Sequence, residues 1–371
     1  MNISNFARRG AVSARLAALT VMASLALMAG CGGSSQPPSG AAIPVATARA
    51  TAKPFDPTVR QAFEQGIAFP KWGTYVYGIS DSSWPSDVRA MRDQTAARWV
   101  GMIVSLDQDG DYSTRVYAGP DTTSPDALYA GVQAARQAGL NVFVEPLLNV
   151  QQVSNNWSGL VTFSSHARAE QWFKSYWAAY EPYVRAAKAA GASQVAIGTE
   201  FAALETQYPD LWAGLAHQVK ATFGGTVTYD MDHSSLGKNP PSWWKDPAIS
   251  YLGVSMYSIL QDTPHDIPAS EIEKVWKSSV LPQLDAMSKQ VGKPLILTEI
   301  GYRNTADCLS IPWLWHSSAP EDPALQGAAY QAALAMAAGD QHIAGIFFWA
   351  WQDGQFHPAG PAIQAMREAW A

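Results

Sequence analysis

Cysteine is almost absent from this chain. Its 371 residues include two cysteines, Cys31 and Cys308, and Cys31 falls in a segment that we interpret below as an export signal. The one cysteine that remains cannot form an internal disulfide, so no disulfide framework stabilises the fold. No His-Asp arrangement lies near Cys308 in the sequence, and we therefore predict a buried, unreactive thiol there.

Charged residues and metal-binding patterns are also scarce. Charged side chains make up 15% of the chain, and the formal net charge is −6, which gives no basic surface for nucleic acid or for an anionic membrane. The seven histidines show no HxxxH-type spacing. Residues 107–111 are rich in aspartate, but the glycine and final glutamate of an EF-hand are not at the required positions. We predict no metal, no cofactor and no nucleic-acid partner.

The N-terminal segment has the pattern of an exported lipoprotein. Three basic residues, Arg8, Arg9 and Arg15, precede an apolar run over residues 16–29. This run is shorter than the roughly 20 residues of a transmembrane helix. Small residues before Cys31 resemble a bacterial lipobox, so we predict a signal peptide over residues 1–30 and lipidation of Cys31. An ordinary signal peptide with a chance cysteine is the alternative.

A tether follows the predicted cleavage site. Residues 31–52 contain mainly Ser, Pro, Ala, Gly and Thr, a composition typical of a flexible linker. The folded domain would then cover residues 53–371. These features predict a monomeric protein held by lipid at the cell envelope, on the outer membrane or facing the periplasm.

Aromatic residues, in contrast, are abundant. The chain has 15 Trp and 14 Tyr, and 47% of its residues are hydrophobic, which is ample for one large core. Sugar rings stack on flat apolar faces of this kind. Large barrels also bury many aromatic side chains, so both explanations stay open.

Eight apolar segments alternate with helical segments after residue 70. The predicted strands are 73–79, 98–106, 140–147, 194–200, 226–230, 250–257, 294–299 and 344–351. The predicted helices are 85–97, 124–139, 166–191, 208–223, 270–291, 323–339 and 361–370, with a further short helix over 56–69 before the first strand. Near-continuous apolar runs are typical of parallel strands buried on both faces. Such alternation predicts an α/β fold, and eight strands favour a single-domain (β/α)8 TIM barrel.

No dinucleotide fold is indicated. A glycine-rich loop would be needed after the first strand, and residues 79–83 read Ile-Ser-Asp-Ser-Ser instead.

Two glutamates end two of the predicted strands. Glu200 closes the fourth strand and Glu299 closes the seventh. The carboxyl ends of the strands form the catalytic face of a TIM barrel, and two opposed carboxyl groups there are the minimum equipment for glycosidic bond cleavage. We therefore predict a glycoside hydrolase. A lone glutamate at a strand end is more often a structural ion-pair partner, so the prediction depends on the pair.

The sequence around these glutamates resembles glycoside hydrolase family 113, a family of clan A that contains β-mannanases. The resemblance lies in residues 197–201 (Ile-Gly-Thr-Glu-Phe), 297–302 (Leu-Thr-Glu-Ile-Gly-Tyr) and 345–351 (Gly-Ile-Phe-Phe-Trp-Ala-Trp). It extends loosely over residues 70–371. It implies a retaining endo-β-glycosidase acting on a β-linked polysaccharide, most simply a β-mannan.

The resemblance implies roles for individual residues. Glu200 would be the general acid/base and Glu299 the nucleophile, with environments that separate their pKa values. Tyr257 would donate a hydrogen bond to the nucleophile. Trp349 or Trp351 would form the stacking platform beneath the sugar. Equal strand parity places both on one side of the strand, which we expect to face the barrel axis; contact with a surface helix is the alternative.

Two positions depart from the clan pattern. Thr199 stands before the acid/base where the clan has Asn, and Arg98 begins its strand instead of ending it. Thr199 stays among the predicted substrate-binding residues. Glu145 ends the third predicted strand and is a rival for either catalytic role or a ligand for a substrate hydroxyl. Other candidates for the cleft, or alternatively anchors of their own loops, are Trp157, Trp243, Trp244, Trp313, Trp315, Asp353 and His357.

A catalytically weak barrel that only binds polysaccharide is the alternative function, since a fold can outlast its chemistry. An exo-acting enzyme that trims oligosaccharides is a third. Both carboxyl groups are present, which favours the enzyme.

The double-displacement assignment makes different predictions for the two glutamates. Glu299→Ala should abolish turnover with the fold intact, because the attacking carboxylate is lost. Glu200→Ala should retain activity on substrates with good leaving groups, which need no proton. Azide should restore the rate in such variants and give a glycosyl azide of defined anomeric form. Failure of azide to act on either variant would contradict the assignment.

Overall fold

The computed structural model of the protein describes residues 63–153, 156–262 and 266–371. The predicted signal peptide, the tether and the lipidation site Cys31 lie outside these residues and stay predictions. Within the described ranges, no helix combines the length and the apolar character that a membrane span requires.

Eight parallel strands form a closed barrel. The barrel strands are β1 (Glu64–Ala68), β2 (Trp99–Gln108), β4 (Asn141–Val150), β5 (Gln194–Thr199), β6 (Thr226–Asp232), β7 (Tyr251–Ser255), β8 (Leu295–Ile300) and β9 (Ile343–Phe348). Strand β1 pairs with both β9 and β2, which closes the ring. A two-residue strand, β3 (Val116–Tyr117), pairs antiparallel with the end of β2. The TIM-barrel prediction is confirmed.

Helices surround this barrel. They are α1 (Trp84–Thr95), α2 (Pro125–Gln137), α3 (His166–Ala190), α4 (Pro209–Phe223), α5 (Ala269–Val275), α6 (Leu281–Val291), α7 (Pro323–Gly339) and α8 (Gly360–Trp370). Proline at the start and glycine at the end of the predicted segments mark several of these boundaries. The Ser124 side chain caps α2 by accepting a hydrogen bond from Ala127, and Gly191 ends α3 in the left-handed conformation.

One predicted helix is divided in two. A π-helical turn, Trp276–Val280, separates α5 from α6, where the sequence predicts one continuous helix. Pro282 is the second residue of α6, and a proline ring in an α-helix clashes with the carbonyl four residues earlier. The wider π turn lies at that position.

The first strand was predicted in the wrong place. Residues 73–79 form a turn, in which Gly73 and Gly78 have φ values of +123° and +106°. The strand is Glu64–Ala68, within the segment predicted to be helical. It contains Gly66, and a Cβ there would lie 2.3 Å from the Phe347 ring on β9. Barrel closure therefore requires this glycine, although a glycine in a five-residue segment is a poor strand signal.

The barrel interior is layered. Apolar side chains fill its lower part, including Phe143, Tyr251 and Phe347. A second apolar cluster, including Tyr257 and Trp349, covers its upper part. Between them lie buried polar side chains from five strands, namely Glu145, Thr199, Asp230, Ser255 and Glu299. These three carboxyl groups, those of Glu145, Asp230 and Glu299, are thus part of the barrel interior.

Substitution of Gly66 tests barrel closure. Gly66→Ala should lower the free energy of unfolding by about 1–3 kcal/mol, because the methyl group overpacks against Phe347. Urea denaturation would measure the change. The control is Gly214→Ala, in α4, where a Cβ meets nothing within 4 Å and replacement of a helical glycine should stabilise by up to about 1 kcal/mol. Equal stability of the two variants would contradict the packing argument.

Candidate active site

Glu200 lies directly after β5 in a strained backbone conformation. Its φ is +56°, in the left-handed region that residues other than glycine adopt rarely. Its backbone N–H donates to the Asp230 carbonyl at 2.9 Å, and its carboxylate accepts a hydrogen bond from Trp157 Nε1 at 2.8 Å. Strained residues of this kind persist where the surroundings fix them, and they cluster at functional sites.

The Glu200 carboxyl group holds its proton strongly. Burial raises its pKa to about 8, and the nearby carboxyl groups of Asp232 and Asp230 add to the effect. Hydrogen bonds from Trp157 and Ser255 act in the opposite direction. A general acid that works near neutral pH needs such a raised pKa.

Glu299 is buried near the end of β8. Tyr257 Oη donates a hydrogen bond to Glu299 Oε2 at 3.2 Å, which is the contact that the family resemblance implies. Burial, followed by Glu200 and Asp230, raises the pKa of Glu299 well above its usual value, and the Tyr257 hydrogen bond opposes this. The pKa values of both glutamates are therefore raised, whereas the sequence predicted that their environments would separate the two.

Register shifts turn these strand ends toward the barrel axis. Ile296 and Glu299 of β8 pair with Gly253 and Ser255 of the neighbouring strand β7. The step is three residues in β8 and two in β7, so β8 has one extra residue over this stretch. Simple alternation from Ile296 would place Thr298 at the inward position and Glu299 outward. The extra residue, a β-bulge, gives Glu299 the inward position.

Strand β5 has a similar irregularity. Ala196 pairs with Thr228, and Thr199 pairs with Asp230, so one extra residue lies between them. Thr199 then takes an inward position and donates its hydroxyl proton to Glu145 Oε1 at 3.0 Å. Thr199 is buried and bonded to a protein carboxyl group, and its predicted contact with substrate stays a prediction.

Glu145 and Asp230 lie beside Glu299. One carboxylate oxygen from each of the three residues lies within 4.8 Å of the others, and all three residues are buried. Of the described residues, this is the one His, Cys, Asp and Glu group with a spacing suited to a metal ion, and the predicted absence of metal stays a prediction. Glu145 is 1% exposed, so it lies beneath the surface of the cleft.

Sequence reasoning missed Asp230. The residue closes the predicted strand 226–230, as the two glutamates close theirs, and it is followed two positions later by Asp232 on the same face. That spacing was the available signal, because residues two apart in a strand share a face.

The structure separates Trp349 from Trp351. Trp349 is buried in the upper barrel cluster with Tyr257, Ala68 and Ile103. Trp351 packs in the large core outside the barrel, and its ring contacts His357 at 4.8 Å between centroids. Strand β9 ends at Phe348 and the Trp349–Ala350 peptide bond is cis, so strand alternation does not extend to Trp351.

The loop tryptophans fall into two groups. Trp243 and Trp244 are buried, and Trp243 stacks on Trp212 of α4 at 4.7 Å, as an anchor of its own loop. Trp313 and Trp315 are 49% and 52% exposed. Trp315 contacts the Trp349 ring at 6.2 Å, and Trp313 is near-parallel to His233 at 6.5 Å. The exposed pair therefore lies around the candidate site.

A buried arginine holds the loop that bears this exposed pair. Arg303 is fully buried and donates to the carbonyls of Ile311 and Leu314 and to the Asp307 carboxylate. Ser317 donates to the other oxygen of Asp307. Sequence reasoning assigned no role to Arg303, which gave no local signal because its partners are mostly backbone carbonyls.

The remaining candidates take no catalytic position. Asp353 is partly buried, and burial raises its pKa to about 6. His357 accepts a hydrogen bond from the Gln352 backbone N–H at 3.1 Å. Cys308 is a buried free thiol whose pKa is raised to about 12 by burial, in line with the predicted unreactive thiol.

Comparison with known proteins places the chain in a family. Residues 72–365 match the model of Glycoside Hydrolase Family 113. The chain belongs to this family. It is therefore a glycoside hydrolase, as the sequence predicted. No curated protein matches it at a significant level.

Solved structures share the fold. A family 113 β-1,4-mannanase matches with a TM-score of 0.70 and 20% identity, over 84% of this chain and 99% of that one. The family 113 β-mannanase AaManA from Alicyclobacillus acidocaldarius, in complex with ManMIm, matches with a TM-score of 0.71 and 22% identity, over 84% and 97%. A β-glucuronidase from Ruminococcus gnavus matches with a TM-score of 0.57 and 13% identity, over 84% of this chain and 50% of that one.

The hydrogen bond from Trp157 should influence the pH dependence of the enzyme. Trp157→Phe removes a bond that favours ionised Glu200, so the pKa of Glu200 should rise. The alkaline limb of the kcat/KM profile should move to higher pH by up to about one unit. Trp315→Phe, which alters an aromatic ring without a bond to Glu200, is the control. A shift to lower pH in Trp157→Phe would contradict the assignment of Glu200 as the acid.

Proposed function

We propose that this family 113 protein is an endo-acting β-mannanase that works by double displacement with retention of anomeric configuration. Family membership supports the glycosidase activity, and two similar structures are β-mannanases by name. The main observation in favour of the mechanism is the pair of glutamates at the ends of the fourth and seventh barrel strands. Each has a separate hydrogen-bond donor, Trp157 or Tyr257.

In this proposal Glu200 begins the reaction as an acid. It donates its proton to the glycosidic oxygen of the leaving sugar while Glu299 attacks the anomeric carbon, which forms a glycosyl-enzyme ester. Glu200, now ionised, removes a proton from water. This water attacks the same carbon, releases Glu299 and restores the proton on Glu200. The raised pKa of Glu200 suits the first step. In the glycosyl-enzyme ester Glu299 carries no charge, which would lower the pKa of Glu200 and suit its role as a base in the second step.

Tyr257 and Trp349 would support the reacting sugar. The Tyr257 hydroxyl bonds the Glu299 carboxylate and so fixes its direction of attack. Trp349 lies in the same cluster as Tyr257, beside the exposed Trp315 ring. These rings would supply apolar faces for sugars on either side of the cleavage point.

We also propose that Cys31 is lipidated and holds the enzyme at the cell envelope. The lipobox-like sequence before Cys31 and the polar linker after it support this. Polysaccharide fragments would then be produced close to the cell surface.

A substrate panel tests the proposed activity. Release of reducing ends would be measured on β-mannan, glucomannan, β-glucan, xylan and chitosan, with Glu299→Gln as the blank. We expect release from β-mannan that the variant lacks, and a product that NMR shows to have the β configuration when first formed, as double displacement requires. An α product would contradict retention. No release from any glycan, with binding to one of them, would favour the alternative of a polysaccharide-binding barrel.

A further inference from the structure

Two carboxyl groups that the proposed mechanism does not use lie within the barrel. Glu145 is on β4 and Asp230 is on β6, and they are 1% and 0% exposed. Both strands flank β5, so the two side chains converge beneath its end, where Glu200 begins the next loop. Desolvation of two ions in such a place costs several kcal/mol for each ion.

The hydrogen bonds around this pair differ for the two residues. Ser255 Oγ donates to Asp230 Oδ2 at 2.8 Å, and Thr199 Oγ1 donates to Glu145 Oε1 at 3.0 Å. One oxygen each of Glu145, Asp230 and Glu299 lie within 4.8 Å of one another, and Asp230 Oδ1 is buried with no hydrogen-bond donor. The interaction between the two carboxyl groups raises the pKa of Glu145 and lowers that of Asp230. Two carboxyl groups this close cannot both ionise readily, and a proton shared between them would relieve their repulsion.

The surrounding groups are mostly acids and phenols. The charge of Glu299 raises the pKa of Glu145, and the charge of Asp230 raises the pKa of Glu200. Asp232 lies on the same strand as Asp230, and its Oδ2 is 3.5 Å from His233 Nδ1. The phenols that interact with the pair or the catalytic carboxyl groups are Tyr176 and Tyr180 of α3, Tyr229 of β6 and Tyr257.

Asp230 is common to both catalytic residues. Its charge is among the strongest electrostatic influences on Glu200 and on Glu299. Its backbone carbonyl also accepts the Glu200 N–H at 2.9 Å. It therefore contacts Glu200 through the main chain and acts on it through charge.

We propose that Glu145 and Asp230 are positioning residues that form a carboxylic acid–carboxylate pair, and that the single negative charge of this pair holds the proton on the acid Glu200. Glu145 supplies the shared proton, and Ser255 holds Asp230 in place. The inference rests on the proposed roles of Glu200 and Glu299. It gives Glu145 a role beneath the substrate instead of in contact with it.

Two variants separate this arrangement from its alternatives. Glu145→Gln replaces a neutral acid by a neutral amide that still donates to Asp230, so the charge of the pair stays the same. Glu145→Gln/Asp230→Asn removes that charge. The pKa of Glu200 would be read from the NMR of carboxyl-13C-labelled protein, with Glu200→Gln to assign the resonance. We expect little change in the single variant and a fall of about one unit in the double variant.

The pH profile of kcat/KM should follow the titration. Its alkaline limb should move to lower pH in the double variant by the same amount, since Glu200 loses its proton earlier. A fall of similar size in the single variant would show that both groups are ionised in the native protein. An unchanged Glu200 pKa in the double variant would show that the pair is neutral. Either result overturns the inference.

Matched measurements guard against trivial explanations. Glu64→Gln changes another buried carboxyl group at the opposite end of the barrel strands, and it should leave the Glu200 pKa unchanged. If the double variant fails to fold, titration of the wild-type protein still tests the proposed pair, because at neutral pH Glu145 should be protonated and Asp230 ionised. The NMR titration needs no substrate. Absence of mannan hydrolysis by the wild-type protein would contradict the proposed function alone.

Discussion

The crowding of like-charged carboxyl groups inside a closed barrel is the constraint on which the rest of this structure depends. Glu145, Asp230 and Glu299 have oxygens within 4.8 Å of one another, and Glu200 adds a fourth carboxyl group at the rim. Ions so close together in a low-dielectric interior repel strongly. The site is stable only with protons retained and with hydrogen bonds to each group. Both requirements favour a protonated acid near neutral pH, which glycoside cleavage needs.

The scaffold supports each carboxyl group from a different element. Trp157 bonds Glu200 from the loop after β4, Tyr257 bonds Glu299 from the loop after β7, and Ser255 bonds Asp230 from the last position of β7. Placement on rigid strands with separate donors gives the precision that catalytic groups require. The exposed rings of Trp313 and Trp315 are instead on a long loop. Arg303 orders that loop through backbone carbonyls, so its aromatic rings are held near the cleft although they are half exposed.

Thr199 shows how a departure from a family pattern can be local. The clan has an asparagine there, and this chain has a residue whose hydroxyl donates to Glu145. A short hydroxyl side chain reaches the neighbouring strand, so the position serves the carboxyl layer inside the barrel. The two glutamates therefore lie at the strand ends that the clan pattern gives them, although the residue beneath them that supports Glu145 differs from that pattern.

The sequence by itself determined the alternation of strands and helices, the family, and the two glutamates at strand ends, because apolar runs, helix caps and short motifs are local properties. It did not determine the first strand, since Gly66 is required only by the Phe347 ring from the far end of the chain. It did not reveal Asp230 as a partner of Glu145, since their strands are separated along the chain by α3, β5 and α4. The inward direction of Glu299 was also decided by tertiary structure. Alternation along β8 alone turns that side chain outward, and the extra residue relative to β7 reverses it. Register between strands is a property of the closed barrel, because each strand must match two neighbours at once.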